Sequence, residues 1–263
     1  MTPFTPLFAI FTALAVILGL PFGIPCSLAG ETFDPPPAIM IAQADTDGDT
    51  DDGEYEDEYG DADEGLSDPL YHWNYTWYLF NDRVYLWLLE PTAEGYSAVM
   101  PEQARGGVRN FFDNLMMPVR FANCLLQGKG RAAVDELTAS AVNSTVGIVG
   151  FRNAAGDMLL YEPQNEDLGQ TFGTWGAGHG IYLVWPFVGP SSLRDTFGSV
   201  GDSFVTPINR LSTDWNIGLR AYDVVNDTTF RIGEYESVKQ AAIDPYSSLR
   251  DIYVQYRDRQ VAE

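Results

Sequence analysis

The chain has 263 residues, 45% of them hydrophobic and 13% aromatic. That is long enough to bury a substantial core and too long for a disulfide-stapled mini-protein. Thirty-seven acidic residues against 15 basic ones give a net charge of −22, which argues against a nucleic-acid partner. The excess belongs to a segment: Asp45 to Asp68 holds 13 acids and no base, and the body from Pro69 onward carries 22 acids against 15 bases, or −7.

Leu7 to Leu20 is an uncharged run of 14 residues, the length of a signal peptide and short for a membrane span. Pro21, Gly23 and Pro25 then break any helix. We read residues 1–29 as a secretory leader, although no Lys or Arg precedes Arg83. Cleavage after Ala29 suits an ordinary leader, and Ala42-Gln43-Ala44 offers a distant second small-x-small site. Cys26 invites a lipoprotein reading, in which its thiol is acylated. The preceding Gly23-Ile24-Pro25 is a poor lipobox, so lipidation at Cys26 stays open. Residues 30–66 read as a Pro-rich and acidic spacer without structure of its own. Asp45, Asp47, Asp49 and Glu56 have calcium-loop spacing, but Thr50 stands where the tight turn needs Gly. A solvated spacer is the simpler reading.

The body, 67–263, opens with Ser67-Asp68-Pro69, a helix start with Asp68 as cap. In the helix that follows, Trp73, Trp77, Phe80, Val84 and Trp87 recur at spacings of four, three, four and three, and Tyr71, Tyr75 and Tyr78 form a second row. This apolar surface is wider than a soluble amphipathic helix needs. It fits a membrane–water interface or a helix buried in an ordinary core. About eight such side chains entering lipid at ~1.5–3 kcal/mol each would gain on the order of 10–20 kcal/mol gross.

Pro91 is expected to close that helix. Pro101-Glu102 opens another, running to Leu115. Pro118 opens a third, ending at Gly128. Lys129 to Ser144 forms a fourth, with Ala133, Leu137 and Ala141 on one face. Cys124, in an apolar run, reads as a small buried side chain; with Cys26 it makes no disulfide framework. From Gly169 to Gly201 there are eight glycines in 33 residues. Among them Ile181 to Val188 is an apolar run whose Pro186 restricts it to an edge strand or hairpin arm. Helices resume at Ser192-Leu-Arg-Asp195, where Arg194 and Asp195 are candidate polar lining or a capping pair. Trp215 to Val238 follows, with a break expected near Asn226-Asp227. Asp244-Pro245-Tyr246 starts the last helix, with Leu249, Ile252, Tyr253 and Tyr256 on one side and Arg250, Arg257 and Arg259 on others.

No chemistry announces itself. There is no G-x-S-x-G elbow, HExxH, P-loop or CxxC pair. His72 and His179 are the two histidines, and His179 reads as a turn residue. Asp113, Asp167, Asp195 and Asp202 read as caps or ion-pair partners. No cofactor is expected, and the fold class is all-α.

The blocks S-D-P-L (67–70), F-N-D (80–82), P-E-Q-A-R-G-G-V-R-N-F-F-D-N-L (101–115), L-L-Q-G (125–128), N-S-T-V-G-I-V-G-F (143–151), E-D-L-G-Q-T-F-G-T-W-G (166–176), G-P-S-S-L-R-D-T-F-G (189–198) and D-P-Y (244–246) closely resemble the MlaA/VacJ family of outer-membrane phospholipid-transport lipoproteins. The resemblance implies a ring-like bundle of short amphipathic helices with a Gly-rich hairpin insertion, lying in the periplasmic leaflet of the outer membrane. It implies a channel that passes mislocalised phospholipid from the outer leaflet towards a periplasmic lipid-carrier protein, maintaining lipid asymmetry, and association with a trimeric porin. Carried over, Phe80 and Asn81 match a gate-associated element. Gly173, Gly176, Gly178, Gly180, Tyr182 and Pro186 fall in a segment resembling a mobile hairpin. Arg194 and Asp195 match an L-R-D element placed on the lipid path, and Trp73, Trp77, Trp87 and Trp185 become membrane-rim aromatics. A porin-stabilising structural subunit and a membrane-associated lipid hydrolase are the competing readings. The weak lipobox suggests that aromatic insertion replaces the acyl anchor.

Overall fold

The computed structural model describes residues 66–263 apart from 160, 162 and 164. The leader, Cys26, the spacer and the calcium-loop spacing at 45–56 lie outside the described residues. The body is all-α apart from one two-stranded hairpin. Its helices are α1 (Tyr71–Val84), α2 (Glu90–Val99), α3 (Glu102–Leu115), α4 (Met117–Leu126), α5 (Gly130–Thr145), α6 (Ala154–Leu159) and α7 (Leu168–Thr174). Strands β1 (Tyr182–Trp185) and β2 (Gly189–Ser192) pair antiparallel, Tyr182 opposite Ser192. Then come α8 (Leu193–Ser203), a 3₁₀ turn at Pro207–Arg210, α9 (Thr213–Thr228), α10 (Glu234–Ala241) and α11 (Pro245–Ala262).

Several starts fall where local chemistry puts them. Ser192 caps α8 by accepting from Asp195 N at 3.1 Å, and Asp244 caps α11 by accepting from Tyr246 N at 3.1 Å. The break expected near Asn226-Asp227 comes later: α9 runs to Thr228, and Gly233, at φ +90°, lies between α9 and α10. Two expectations fail. Pro91 does not close the first helix, because a π-helical turn at Tyr85–Leu89 joins α1 to α2. The wider turn absorbs the missing N–H and the ring's clash with the preceding turn. Asp68 does not cap α1. Its carboxylate accepts instead from Asn74 Nδ2 at 2.6 Å and from Tyr246 OH at 2.5 Å, tying α1 to α11.

The polarity of the body is inverted relative to a water-soluble globule. Its largest fully buried side chains are Tyr182, Glu136, Asn74, Asn123, Asn226, Thr171, Cys124 and Ser192; all but Tyr182 and Cys124 are polar. Outside stand Trp87 (74% exposed), Trp215 (69%) and Val99 (85%), with Leu88, Ile148, Phe197 and Phe204 among many others. On α5 the row Ala133, Leu137, Ala141 is not uniformly buried. Ala133 is buried, but Leu137 and Ala141 face out and Glu136 faces in. Arg257, set apart from the Leu249, Ile252, Tyr253 and Tyr256 side of α11, is also buried. An apolar exterior over paired interior charges is what a lipid solvent selects. Among the described residues no helix is long and apolar enough to cross a membrane.

The interior is held by polar hubs. Arg257 donates to both oxygens of Asp167 at 2.7 and 2.9 Å and both of Asp195 at 2.9 and 3.0 Å. This joins α11 to the starts of α7 and α8. There α7 and α8 touch: a Cβ on Gly198 would lie 2.3 Å from Gly169 N, so these glycines serve close packing. Burial alone would favour a neutral Asp195, but Arg257, Tyr253 and Arg194 hold it at about 2. The ion pair's contribution is therefore complete above the ordinary aspartate range and is lost only as pH falls towards 2. Arg257→Leu leaves Asp167 without its cation and Asp195 with Arg194 alone, and should cost about 3–5 kcal/mol. Thermal unfolding of the purified chain in detergent checks this; an unchanged melting temperature at pH 7 contradicts it.

Candidate functional site

The hairpin is docked by amides rather than by a third strand. Asn74 and Asn81 lie two turns apart on α1. Asn74 Nδ2 donates to Tyr182 O at 2.9 Å, and its Oδ1 accepts from Val184 N at 2.8 Å. Asn81 repeats the pattern, with Nδ2 to Trp185 O at 2.9 Å and Oδ1 from Phe187 N at 2.7 Å. Two side-chain amides thus satisfy the free edge of β1 and the turn after it. Phe80 meets the same turn edge-to-face, its ring 5.0 Å from that of Phe187. Phe187 adopts φ +65°, unusual for a side chain of this size.

Among the predicted residues, Phe80, Asn81, Tyr182 and Trp185 therefore come together. Pro186 is buried in the turn beyond β1. Gly176 and Gly180, at φ +91° and +75°, shape the approach to the hairpin, and Gly178 lies in open space between them. Gly173 belongs instead to α7, where a Cβ would lie 3.0 Å from Arg194 Nη1 and 2.6 Å from Val261. Arg194 and Asp195 sit in the Arg257 hub. Trp73 and Trp87 are exposed, whereas Trp77 and Trp185 are half-buried. Trp77 packs against the aromatic core of Tyr78, Tyr182, Tyr246 and Tyr253, and Trp185 Nε1 donates to Thr196. His179 meets Asp258 at 2.6 Å, and Cys124 is buried, with burial pushing its thiol up to about 11.

Sequence reasoning missed the polar seam inside the bundle. Asn110, Asp113, Asn114, Arg120 and Glu136 line a cleft between α3, α4 and α5. Arg120 Nε bridges both Glu136 oxygens at 3.1 and 3.0 Å, and its Nη1 donates to Asp113 O at 2.7 Å. One turn on, Asn123 donates to Asp202 at 2.8 Å and accepts from Thr171 at 2.9 Å, carrying the seam to α7 and α8. Helix α9 adds Asn216, Arg220, Asp223 and Asp227, spaced four, three and four. That spacing places them on one helical face, the signal that could have found them. Asp227 pairs with Arg109 at 3.0 Å and with Arg231 at 3.3 Å. Burial and then the neighbouring Asp113 and Asp227 raise Asp223 to about 7, and burial raises Asp113. Burial likewise raises Asp202 to about 6. Among the described residues no cluster of His, Cys, Asp and Glu could hold a metal ion.

The architecture and its motifs match known proteins. The profile of the MlaA lipoprotein family covers residues 66–260. The chain belongs to the MlaA lipoprotein family. It is 30% identical to the intermembrane phospholipid transport system lipoprotein MlaA of Escherichia coli K12 over 202 residues, 76% of this chain and 80% of that one. Its identity to the Haemophilus influenzae protein of the same name is 28%, over 72% and 77% of the two chains. A solved structure, described as the structural basis for maintenance of bacterial outer membrane lipid asymmetry, superposes with a TM-score of 0.66 at 27% identity. It covers 74% of this chain and 99% of that one.

Within this MlaA-family body, Asp223 gives a pH test. Its native proton affinity lies above that of an unfolded aspartate. Below the ordinary aspartate range both states are protonated and there is no penalty. As pH rises through about 7 the native state must ionise the group, and stability is lost. Asp223→Asn should therefore stabilise the chain at pH 8 by at least ~1 kcal/mol, with the gain shrinking as pH falls from 7 towards 4. Melting curves of both proteins at pH 5 and pH 8 check this; an equal shift at both contradicts it.

Proposed function

We propose that this chain is the outer-membrane component of a phospholipid transport system, a conduit passing mislocalised phospholipid from the outer leaflet towards a soluble periplasmic carrier. The observation that carries the reading is the inverted body: exposed tryptophans, phenylalanines and aliphatics outside, paired charges and amides inside. Family membership supports the transport role. An apolar rim suits a disc lying in the periplasmic leaflet; among the described residues no helix is long and apolar enough to cross a membrane. A polar seam gives a headgroup a wet path while the tails stay in lipid.

In this reading Phe80 and Asn81 act at the gate because they hold the hairpin turn. The hairpin region, with Gly173, Gly176, Gly178, Gly180, Tyr182 and Pro186, frames the path. Arg194 and Asp195 contribute through the hub that holds α7, α8 and α11 together. Nothing in the chain supplies energy, so transfer runs downhill, its direction set by what removes lipid on the periplasmic side. A trimeric porin and a periplasmic lipid-carrier protein are the proposed partners.

Deleting the gene should raise outer-leaflet phospholipid while porin trimers remain intact, as read by surface labelling of lipid and by native gels. Loss of the trimers without extra surface phospholipid would favour a porin-stabilising subunit. Release of fatty acid from vesicles by the purified protein would favour a hydrolase. If the aromatic rim is a sufficient anchor, Cys26→Ala should stay in the membrane pellet after carbonate washing. Its recovery in the soluble fraction would count against that.

A further inference from the structure

Among the described residues, Arg220 and Arg105 are half-buried arginines without an ion pair; Arg105 is held by Thr229 O and the Phe230 ring, and Arg220 by amides. Arg109, Arg120, Arg194, Arg231 and Arg257 each hold a carboxylate. Arg220 is partly buried on α9, and among the described residues no carboxylate lies within ion-pair distance of it. Neutral amides hold it instead: Nε donates to Asn216 Oδ1 at 2.9 Å and Nη2 to Asn209 Oδ1 at 2.8 Å. Both amides are fixed from behind. Asn216 Nδ2 donates to Ile208 O at 3.2 Å and to Asn209 Oδ1 at 2.8 Å, and Asn209 Nδ2 donates to Ser203 O at 2.9 Å. Their nitrogens are committed, so both oxygens are aimed at the guanidinium.

A guanidinium has five N–H donors, and two are engaged here. The other three, including both on Nη1, form the fork that receives phosphate oxygens. An oriented cation without an anion is costly to hold away from water. Asp223, three residues on along the same helix, attracts Arg220 across space without an ion pair to it, and burial with the neighbouring Asp113 and Asp227 raises its proton affinity. Leu211, Trp215 and Ile217, exposed on the same stretch of chain, offer an apolar flank for acyl chains.

We propose that Arg220, aimed by Asn209 and Asn216, is a docking site for the phosphate of a phospholipid headgroup. The proposal deepens the conduit reading and rests on it for the source of the phosphate. It assigns recognition to the group all diacyl phospholipids share, so headgroup identity matters little at this point.

Native mass spectrometry of the full mature chain in detergent tests it with three probes: dihexanoyl phosphatidylglycerol, dihexanoylglycerol and inorganic phosphate. The wild type should bind the phospholipid at least tenfold more tightly than either other probe. Arg220→Gln should abolish that preference, and Arg220→Lys should keep part of it. Asn209→Asp keeps the size of the side chain but places a carboxylate against Nη2, so it should also lose phospholipid binding by tenfold or more while remaining folded by circular dichroism. Equal phospholipid binding by wild type and a folded Arg220→Gln or Asn209→Asp overturns the site. Inorganic phosphate binding as well as the phospholipid overturns the lipid assignment. Transfer of fluorescent phosphatidylethanolamine between vesicles by the wild type is measured in parallel. Its absence, with Arg220-dependent binding intact, would refute the conduit and leave the docking site standing.

Discussion

A helical body that keeps charges and amides inside must pair most of them, and the fold is organised around that requirement. A buried cation with no partner costs several kcal/mol, more than a body of this size can carry at many positions. The elements therefore meet where side chains complete one another. Arg257 closes on Asp167 and Asp195, Arg120 on Glu136, Lys129 on Glu166, and Lys239 on Asp82. Asn74 and Asn81 satisfy the hairpin edge that a third strand would satisfy in a sheet. Arg257, Lys129 and Lys239 reach elements far apart in sequence, so the same bonds that neutralise the interior set the arrangement of the helices.

With polar groups spent inside, the apolar side chains are left for the exterior. In water this would be unfavourable and prone to association. In a lipid leaflet it is the stable arrangement, and the interior network is a polar region enclosed by apolar surface. Function follows from the same inversion. A seam of paired but polar groups from the Arg120–Glu136 cleft to α7 and α8, flanked by the α9 face, can solvate a headgroup. The hairpin is docked on α1 by two side-chain amides and a ring contact, and its Tyr182 and Val184 pack into the aromatic core with Tyr78, Tyr246 and Tyr253.

Local signals were legible in the sequence wherever the deciding chemistry was local. Ser192 and Asp244 cap the helices that follow them, Pro101 and Pro118 sit at helix starts, and the chain breaks before Gly233. The family blocks identified the architecture. What failed had two causes. Asp68 has the local pattern of a cap, but Tyr246, 178 residues away, competes for its carboxylate. The shared face of Ala133, Leu137 and Ala141 does not reveal the buried side of α5, because a binary pattern assumes water outside and here Glu136 is buried and Leu137 exposed. Pro91 failed because a π-turn, which no residue pattern in this segment advertises, accommodates it. The α9 stripe Asn216, Arg220, Asp223, Asp227 has readable spacing, yet the usual interpretation of such a stripe is a solvated face.

The inversion itself is the claim on which the account stands. Tryptophan fluorescence of the mature chain in vesicles whose acyl chains carry bromine tests it directly, because bromine quenches only on contact within the hydrocarbon. Trp87, Trp175 and Trp215 are the most exposed tryptophans, and the account predicts strong quenching and a blue-shifted emission relative to the unfolded chain. Emission unaffected by bromine, from a chain that stays dispersed in buffer without detergent, would contradict it.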